Sequence, residues 1–146
     1  MLVDANILLF AVDSASRFHE AARAWLTEAL NGPRRVGLPW LVLGAFIRIV
    51  THPRASDRPL APEQAWSYVS DWLACETVWV PNPTDRHAAV LGSLIASYQL
   101  RGNLVTDAQI AALAIEHGLT ICSADTDFAR FREVRWLDPL RAGGRE

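Results

Sequence analysis

Five short, mostly apolar runs alternate with longer segments, and this alternation constrains the fold of the chain more than any other feature. The runs are MLVD (1–4), RVGLP (35–39), TVWV (77–80), LTIC (119–122) and VRWL (134–137). Short apolar strands that alternate with helices are typical of a parallel sheet that helices cover on both faces. The sequence therefore predicts an α/β fold.

The segments between these runs predict the helices, because their apolar residues recur at helical spacing. The first four predicted helices cover residues 5–13, 17–30, 40–50 and 62–74. A fifth is predicted to be capped by Thr84 and to end near Gly102. In a sixth, Thr106 and Gln109 form a capping box and Gly118 closes the helix.

Length and composition predict one domain with a real hydrophobic core, since 51% of the 146 residues are apolar. We assign residues 1–140 to this domain and 141–146, RAGGRE, to a disordered tail. The net charge of −2 gives no general attraction to nucleic acid or membrane, so a polyanion would need a local patch. The apolar start is too short to cross a bilayer, and the two cysteines match no metal or redox spacing. These features predict a cytoplasmic protein.

Three carboxylates are predicted to meet at one edge of the sheet. Asp4 follows the first strand, Asp125 lies three residues after the fourth strand, and Asp107 opens a helix. Ligands of such sheets bind beyond the carboxyl ends of the strands. Carboxylates that meet repel one another unless a cation neutralises them, and oxygen ligands with room for water suit Mg²⁺ or Mn²⁺.

Each carboxylate also has a purely structural interpretation. Asp4 precedes a helix and is a suitable cap, Asp107 favours the dipole of its own helix, and Asp125 stands in the turn sequence ADTD. Taken singly, each residue leaves both interpretations open. Taken together, the three favour a metal site.

Three segments resemble PIN-domain endoribonucleases, and most closely the VapC-type toxins of bacterial toxin–antitoxin pairs. They are VDAN, NLVTDAQIAALAIEHG and ICSADTDFARF, and the similarity includes RIVTHPR and covers nearly the whole chain. The resemblance implies a three-layer α/β/α sandwich with a parallel sheet of about five strands. It also implies Mg²⁺- or Mn²⁺-dependent cleavage of single-stranded or loop RNA, inhibition by a small VapB-like antitoxin, and a homodimer.

The same resemblance assigns roles to individual residues. It implies that the catalytic and metal-binding acids are Asp4, Asp107 and Asp125. Asn6 would steady Asp4, Thr106 would orient Asp107, and Asp127 would be a supporting carboxylate.

One position departs from the family pattern. PIN domains usually carry a Glu in the helix after the second strand, and Ala45 stands there in this chain. Asp127 or water can complete a Mg²⁺ shell, whereas Glu116 lies nine residues beyond Asp107 and faces the opposite side of the helix. Two functions therefore stay open: a metal-dependent ribonuclease, and a catalytically silent PIN domain that binds RNA or an antitoxin without cutting.

Arginines and tryptophans are the remaining candidates for contact with RNA. All 14 basic residues are Arg, and Arg48, Arg54 and Arg58 cluster after the second strand. Two interpretations stay open for them: a solvated loop, or contact with RNA phosphates as substrate-binding residues. The tryptophans predicted to be core residues are Trp25, Trp66 and Trp72, while Trp40 stays open between core and base stacking.

Overall fold

Five short strands form one parallel sheet, which confirms the predicted α/β/α fold class. In the computed structural model, which describes residues 1–141, the strands are β1 (Leu2–Val3), β2 (Val36–Gly37), β3 (Val78–Trp79), β4 (Ile121–Cys122) and β5 (Trp136–Leu137). Their order across the sheet is β3-β2-β1-β4-β5, and every neighbouring pair is parallel. Each strand falls within a predicted run. The predicted tail lies outside the described residues except for Arg141.

Helices connect the strands in the predicted order. They are α1 (Ala5–Val12), α2 (His19–Asn31), α3 (Trp40–Val50), α4 (Pro62–Ala74), α5 (His87–Tyr98) and α6 (Leu104–His117), and a 3₁₀ turn covers Thr126–Arg130. The closest helix pairs are α1 with α2 and α5 with α6. Within residues 1–141, no helix is both long and apolar enough to cross a bilayer.

Helix α6 is the most deeply buried helix of the fold. Its buried residues are Ala108, Ile110, Ala111, Ala112, Leu113 and Ala114. The many alanines allow neighbouring backbones to approach closely, and β1 and β4 are themselves fully covered. Because α6 is held by the core along its length, the residues of its first turn have a fixed position at the sheet edge.

The start of α6 differs from the prediction. The helix begins at Leu104 with Asn103 as its N-cap residue, and Asn103 makes no side-chain cap hydrogen bond. Thr106 is therefore in the first turn, where its N–H bonds the Asn103 carbonyl at 3.2 Å, and the predicted capping box with Gln109 is wrong. Asn103 already has helical dihedrals, and the N–H groups of Leu104 and Val105 bond the carbonyls of Arg101 and Gly102, so the helix starts about one turn earlier than its polar residues suggest.

The ends of α5 also differ from the prediction. The helix begins at His87, and the Thr84 hydroxyl instead accepts the Arg86 N–H at 3.2 Å in the turn before it. It ends at Tyr98, four residues before Gly102, and its C-cap residue Gln99 has the left-handed conformation with φ 51°. In contrast, Gly118 closes α6 with φ 65°, as predicted.

Candidate metal centre

Asp4 lies at the carboxyl edge of the sheet, where β1 passes into α1. Its N–H donates to the Cys122 carbonyl at 3.0 Å, so the pairing of β1 with β4 continues one residue past the strand. Its Oδ1 accepts the Ala5 N–H at 2.7 Å, which makes it the N-cap of α1. The structural interpretation of Asp4 is thus correct, and the residue also faces the neighbouring acids described below.

A hydrogen-bond network fixes the second oxygen of Asp4. Oδ2 accepts the Ser123 hydroxyl at 2.7 Å and the Asn6 side-chain amide at 3.1 Å. Asn6 also donates to Ser123 Oγ at 2.9 Å and accepts the Ala124 N–H at 3.2 Å. Asn6 therefore makes the contact expected of a residue that steadies Asp4. Ser123, which is fully buried, is a site residue that the sequence analysis missed.

Three other carboxylates converge beside this network, and we call them the acidic cluster: Asp107, Asp125 and Asp127. One oxygen from each lies within 4.8 Å of the others. Asp125 is tied to the Asp4 network because its N–H donates to Ser123 Oγ at 3.0 Å, and its Oδ1 accepts the Asp127 N–H at 2.8 Å. The predicted trio of Asp4, Asp107 and Asp125 does not reach this spacing. Within residues 1–141, Asp127 completes the group that does reach it, and Asp4 is linked to that group through Ser123 Oγ.

The charges of the four aspartates act on one another. Burial, followed by the charges of Asp125, Asp4 and Asp127, raises the pKa of Asp107 to about 6. Burial also raises the pKa of Asp4, against hydrogen bonds from Ser123 and Ala5 that lower it, while the charge of Asp125 raises it further. Burial and the neighbouring carboxylates thus both disfavour the charged form of Asp107 and Asp4.

Arg130 is the cation that acts on this charge, and the sequence analysis missed it too. Its Nη2 lies 2.9 Å from Asp127 Oδ1, and its Nε donates to the Asp127 carbonyl at 3.0 Å. Its charge lowers the pKa of Asp107, but the upward shift persists. The spacing of three residues between Asp127 and Arg130 in DTDFAR is the signal that could have identified the pair.

Within residues 1–141, no side-chain hydrogen bond or ion pair joins the remaining predicted residues to the acidic cluster. Thr106 is exposed beside Asp107. The side chains of Arg48, Arg54 and Arg58 are exposed, and within residues 1–141 they form no ion pair with these aspartates. The N–H groups of Arg54 and Arg58 bond His52 Nδ1 and Ser56 Oγ, which keeps them in a local loop.

Helix α3 supplies no carboxylate to the cluster. Ala45, at the position of the usual family Glu, packs against the core. Asp127 instead joins Asp107 and Asp125. The exclusion of Glu116 as a substitute agrees with the structure, since Glu116 bonds Thr84 and His87 instead.

The acidic cluster fits a divalent cation. Its ligand atoms are carboxylate oxygens, the donors that Mg²⁺ and Mn²⁺ prefer, and they are close enough to share one ion. The Asp127 side chain is 48% exposed, so water and a substrate have access. Burial and the neighbouring carboxylates raise the pKa of Asp107 and Asp4, and a bound cation would offset both effects.

Comparison with known proteins gives consistent matches along the chain. The PIN domain model matches residues 1–134. The chain is 46% identical over 138 residues to Ribonuclease VapC37 of Mycobacterium tuberculosis, covering 94% of this chain and 96% of the relative. It is 38% identical over 141 residues to Ribonuclease VapC33 of the same species, covering 97% and 99%.

Solved structures agree on the fold. VapC20 of Mycobacterium tuberculosis, a toxin that cleaves the sarcin–ricin loop, matches with a TM-score of 0.67 at 20% identity, covering 92% of this chain and 98% of that one. VapBC-1 of nontypeable Haemophilus influenzae matches with a TM-score of 0.70 at 17% identity, covering 96% and 98%.

Proposed function

This chain belongs to the PIN-domain family, and we propose that it is a divalent-metal-dependent endoribonuclease, the toxin of a toxin–antitoxin pair. One observation carries the proposal: Asp107 from α6 and Asp125 and Asp127 from the turn after β4 converge within 4.8 Å at the carboxyl edge of the sheet. Its relatives VapC37 and VapC33 bear the name ribonuclease, which supports the same activity and does not favour a silent domain.

The proposed site residues divide into ligands and positioning residues. Asp107, Asp125 and Asp127 would hold the cation, and Asp4 remains a proposed ligand because its three donors leave about one of its four acceptor positions free. Asn6 and Ser123 hold Asp4 and the Asp125 backbone in place. Held by these residues, Mg²⁺ or Mn²⁺ would supply an activated water and positive charge for the scissile phosphate.

The substrate and partners follow from the family. We propose single-stranded or loop RNA as substrate, with Arg48, Arg54 and Arg58 as phosphate contacts away from the acidic cluster. A small antitoxin is the proposed partner, because several matched structures are VapBC complexes. A homodimer and a cytoplasmic location complete the proposal.

The test is RNA cleavage by the purified, antitoxin-free chain with Mg²⁺, with Mn²⁺ and with EDTA. We expect cleavage only with metal, and a loss of at least about a hundred-fold in Asp107→Asn and Asp125→Asn, since several kcal/mol of charge stabilisation disappear. Asp71→Asn removes an exposed carboxylate of α4 and serves as the matched control.

Two results would contradict the proposal. Cleavage that persists in EDTA or in Asp107→Asn would show that the acidic cluster is not the active site. Titration calorimetry distinguishes the silent alternative, because a chain that binds Mn²⁺ at the cluster but leaves RNA intact is not a nuclease.

A further inference from the structure

Arg130 lies at the accessible side of the acidic cluster. Its Nη2 is 2.9 Å from Asp127 Oδ1, and one oxygen of Asp127 lies within 4.8 Å of oxygens of Asp107 and Asp125. The Asp127 side chain is 48% exposed and that of Arg130 is 33% exposed, whereas Asp4 is buried. An RNA chain cannot enter the packed interior, so it reaches the cluster from the side at which Asp127 and Arg130 are accessible.

The backbone that carries Arg130 is anchored on both sides of this residue. Phe128 is fully buried and Phe131 is 2% exposed, and their ring centroids lie 6.4 Å apart. Phe131 also packs edge-on against Tyr98, with ring centroids 5.4 Å apart. These aromatic contacts hold the backbone of the 3₁₀ turn at the acidic cluster, so a change of partner at Arg130 needs only a movement of its side chain.

The Arg130 guanidinium is only partly engaged. Nε donates to the Asp127 carbonyl at 3.0 Å, and Nη2 donates to Asp127 Oδ1 at 2.9 Å. Two of the five guanidinium N–H groups are used in these bonds, and the others have no partner within residues 1–141. The bond from Nε goes to a backbone carbonyl, so it does not depend on the charge of the carboxylate. Neutralising Asp127 would therefore free Nη2 while the guanidinium stays beside the cluster.

The charges at this edge of the sheet favour an additional positive group for a phosphate. Four carboxylates belong to the connected network of Asp4 and the acidic cluster, so one divalent ion neutralises only part of their formal charge. The charge of Arg130 lowers the pKa of Asp107, so it acts across the cluster and not only on Asp127. A phosphate is itself an anion, and the planar fork of a guanidinium matches its oxygens.

We propose that Arg130 is a substrate-binding residue that donates to the RNA phosphate at the acidic cluster, once Asp127 Oδ1 is neutralised or bound to a cation. The inference rests on the proposed function and adds a phosphate contact to the same site. Arg130 exchanges one anionic oxygen for another, so its charge stays paired in the free and in the RNA-bound protein.

The experiment measures binding of a labelled single-stranded RNA of about ten nucleotides in EDTA, where metal-dependent cleavage does not interfere. Asp127→Asn imitates the effect of a cation on Arg130, because it removes the carboxylate charge that holds Nη2. We expect Asp127→Asn to bind RNA about ten-fold more tightly than wild type, and the double variant with Arg130→Gln to lose most of this gain.

Asp107→Asn is the matched control for the loss of a negative charge. It removes one carboxylate from the cluster, but within residues 1–141 no hydrogen bond joins Asp107 to Arg130, so it releases no guanidinium donor. Adding Arg130→Gln should therefore reduce RNA affinity more in Asp127→Asn than in Asp107→Asn. Equal reductions in the two backgrounds would contradict the proposed exchange.

The salt dependence distinguishes a phosphate contact from a general effect of charge. In the Asp127→Asn background, Arg130→Gln should reduce the slope of log Kd against log salt concentration by about 0.7, the value for one phosphate of a single strand. Arg130→Lys keeps the charge but not the fork, so it should keep the slope and lose about three-fold in affinity. Arg132→Gln removes the same charge from an exposed neighbour and should change neither quantity.

Titration calorimetry with Mn²⁺ separates a phosphate contact from a structural role. A phosphate contact predicts opposite effects of Arg130→Gln, with tighter binding of Mn²⁺ and weaker binding of RNA. If Arg130→Gln weakens both, Arg130 only holds Asp127 in place and the inference is wrong. It is equally wrong if Arg130→Gln and Arg132→Gln bind RNA with the same affinity and the same salt dependence.

The failure of this inference can be told apart from the failure of the proposed function. A chain that cuts RNA with metal but binds RNA independently of Arg130 contradicts this inference alone. A chain that binds RNA through Arg130 but never cuts it contradicts the proposed nuclease alone.

Discussion

Helix α6 carries a carboxylate near each end, and the pKa values of the two carboxylates shift in opposite directions. Near the start, Asp107 has a pKa raised to about 6. Near the end, the pKa of Glu116 lies below its usual range. The two residues are about 13 Å apart along the same helix axis.

Hydrogen-bond donors explain the difference. Burial works to raise the pKa of Glu116, but its carboxylate accepts the Thr84 N–H at 2.9 Å, the Thr84 hydroxyl at 2.6 Å and contacts His87 Nδ1 at 2.7 Å. At Asp107, burial and then the charges of Asp125, Asp4 and Asp127 raise the pKa, and the charge of Arg130 offsets this only in part. Donors within the fold thus compensate the charge of Glu116, which connects α6 to Thr84 and His87. The charge of Asp107 is left for a cation to neutralise.

The largest expected difference between the two ends of α6 is in how much bound metal stabilises the protein. Saturating Mn²⁺, at about a hundred times its Kd, is expected to stabilise wild type by about 2.7 kcal/mol, because only the folded chain assembles the acidic cluster. Asp107→Asn should lose nearly all of this increment, while Glu116→Gln should keep it. Thermal unfolding with and without Mn²⁺ measures both, and an equal increment in all three proteins would show that the metal binds elsewhere.

Without metal, the Glu116 end should be the more important for stability. Glu116→Ala leaves the Thr84 and His87 donors without their acceptor, and we expect a loss of about 2 kcal/mol in the free energy of unfolding. Urea titration in EDTA measures it. His87→Ala, which removes only the His87 donor and leaves the two Thr84 donors, provides the graded control and should cost less. If Glu116→Ala leaves the free energy of unfolding unchanged, water replaces these hydrogen bonds at no cost.

The sequence predicted the strands, helices and site residues better than the long-range hydrogen bonds between them. Apolar runs located all five strands, and the positions of Asp107, Asp125 and Asp127 follow from the strand and helix that precede or carry them. Ser123 bonds Asp4 across 119 positions of sequence, and Glu116 bonds Thr84 across 32. Such contacts depend on how the elements pack, which periodicity does not encode.

Local rules also failed where tertiary contacts override them. Polar residues predicted the helix starts at Thr84 and Thr106, but backbone turns determine the starts at His87 and Leu104. Helical spacing predicted a core position for Trp66, which is wrong because its side chain is 50% exposed, and this spacing does not reveal whether a facing element covers the ring.

The pH dependence of the metal-free protein should reflect the Asp107 end. Its pKa is higher in the folded chain than its usual value of 3.8, so the folded state binds the proton more tightly. Proton binding at Asp107 therefore stabilises the fold fully below about pH 4, and this stabilisation is lost as the pH rises through about 6. After allowance for solvent screening, we expect about 1 kcal/mol from this residue.

Asp107→Asn checks this sign directly, since the amide keeps the shape and removes the charge. In EDTA at about pH 8, the variant should be more stable than wild type, and the difference should shrink toward about pH 4. Glu116 works in the opposite direction, because its lowered pKa stabilises the fold at neutral pH and this contribution disappears in acid. A variant less stable than wild type at all pH values would show that the Asp107 charge does not destabilise the fold, either through its burial or through repulsion.

Replacing Arg130 is expected to have the smallest effect on metal binding and stability. Arg130 is nevertheless the positive charge that competes with a cation at the acidic cluster. Its guanidinium bonds Asp127 Oδ1 at 2.9 Å, yet both side chains are partly exposed, at 33% and 48%, so water screens the pair. Because Arg130 occupies an oxygen that a cation would use and repels that cation, Arg130→Gln should bind Mn²⁺ about three-fold more tightly and lose less than about 0.5 kcal/mol of metal-free stability. Arg132→Gln removes the same charge from an exposed neighbour and is the matched control in titration calorimetry. Weaker Mn²⁺ binding in Arg130→Gln alone would show instead that the arginine holds Asp127 in its ligand position, so that the cluster depends on a donor just as Glu116 does.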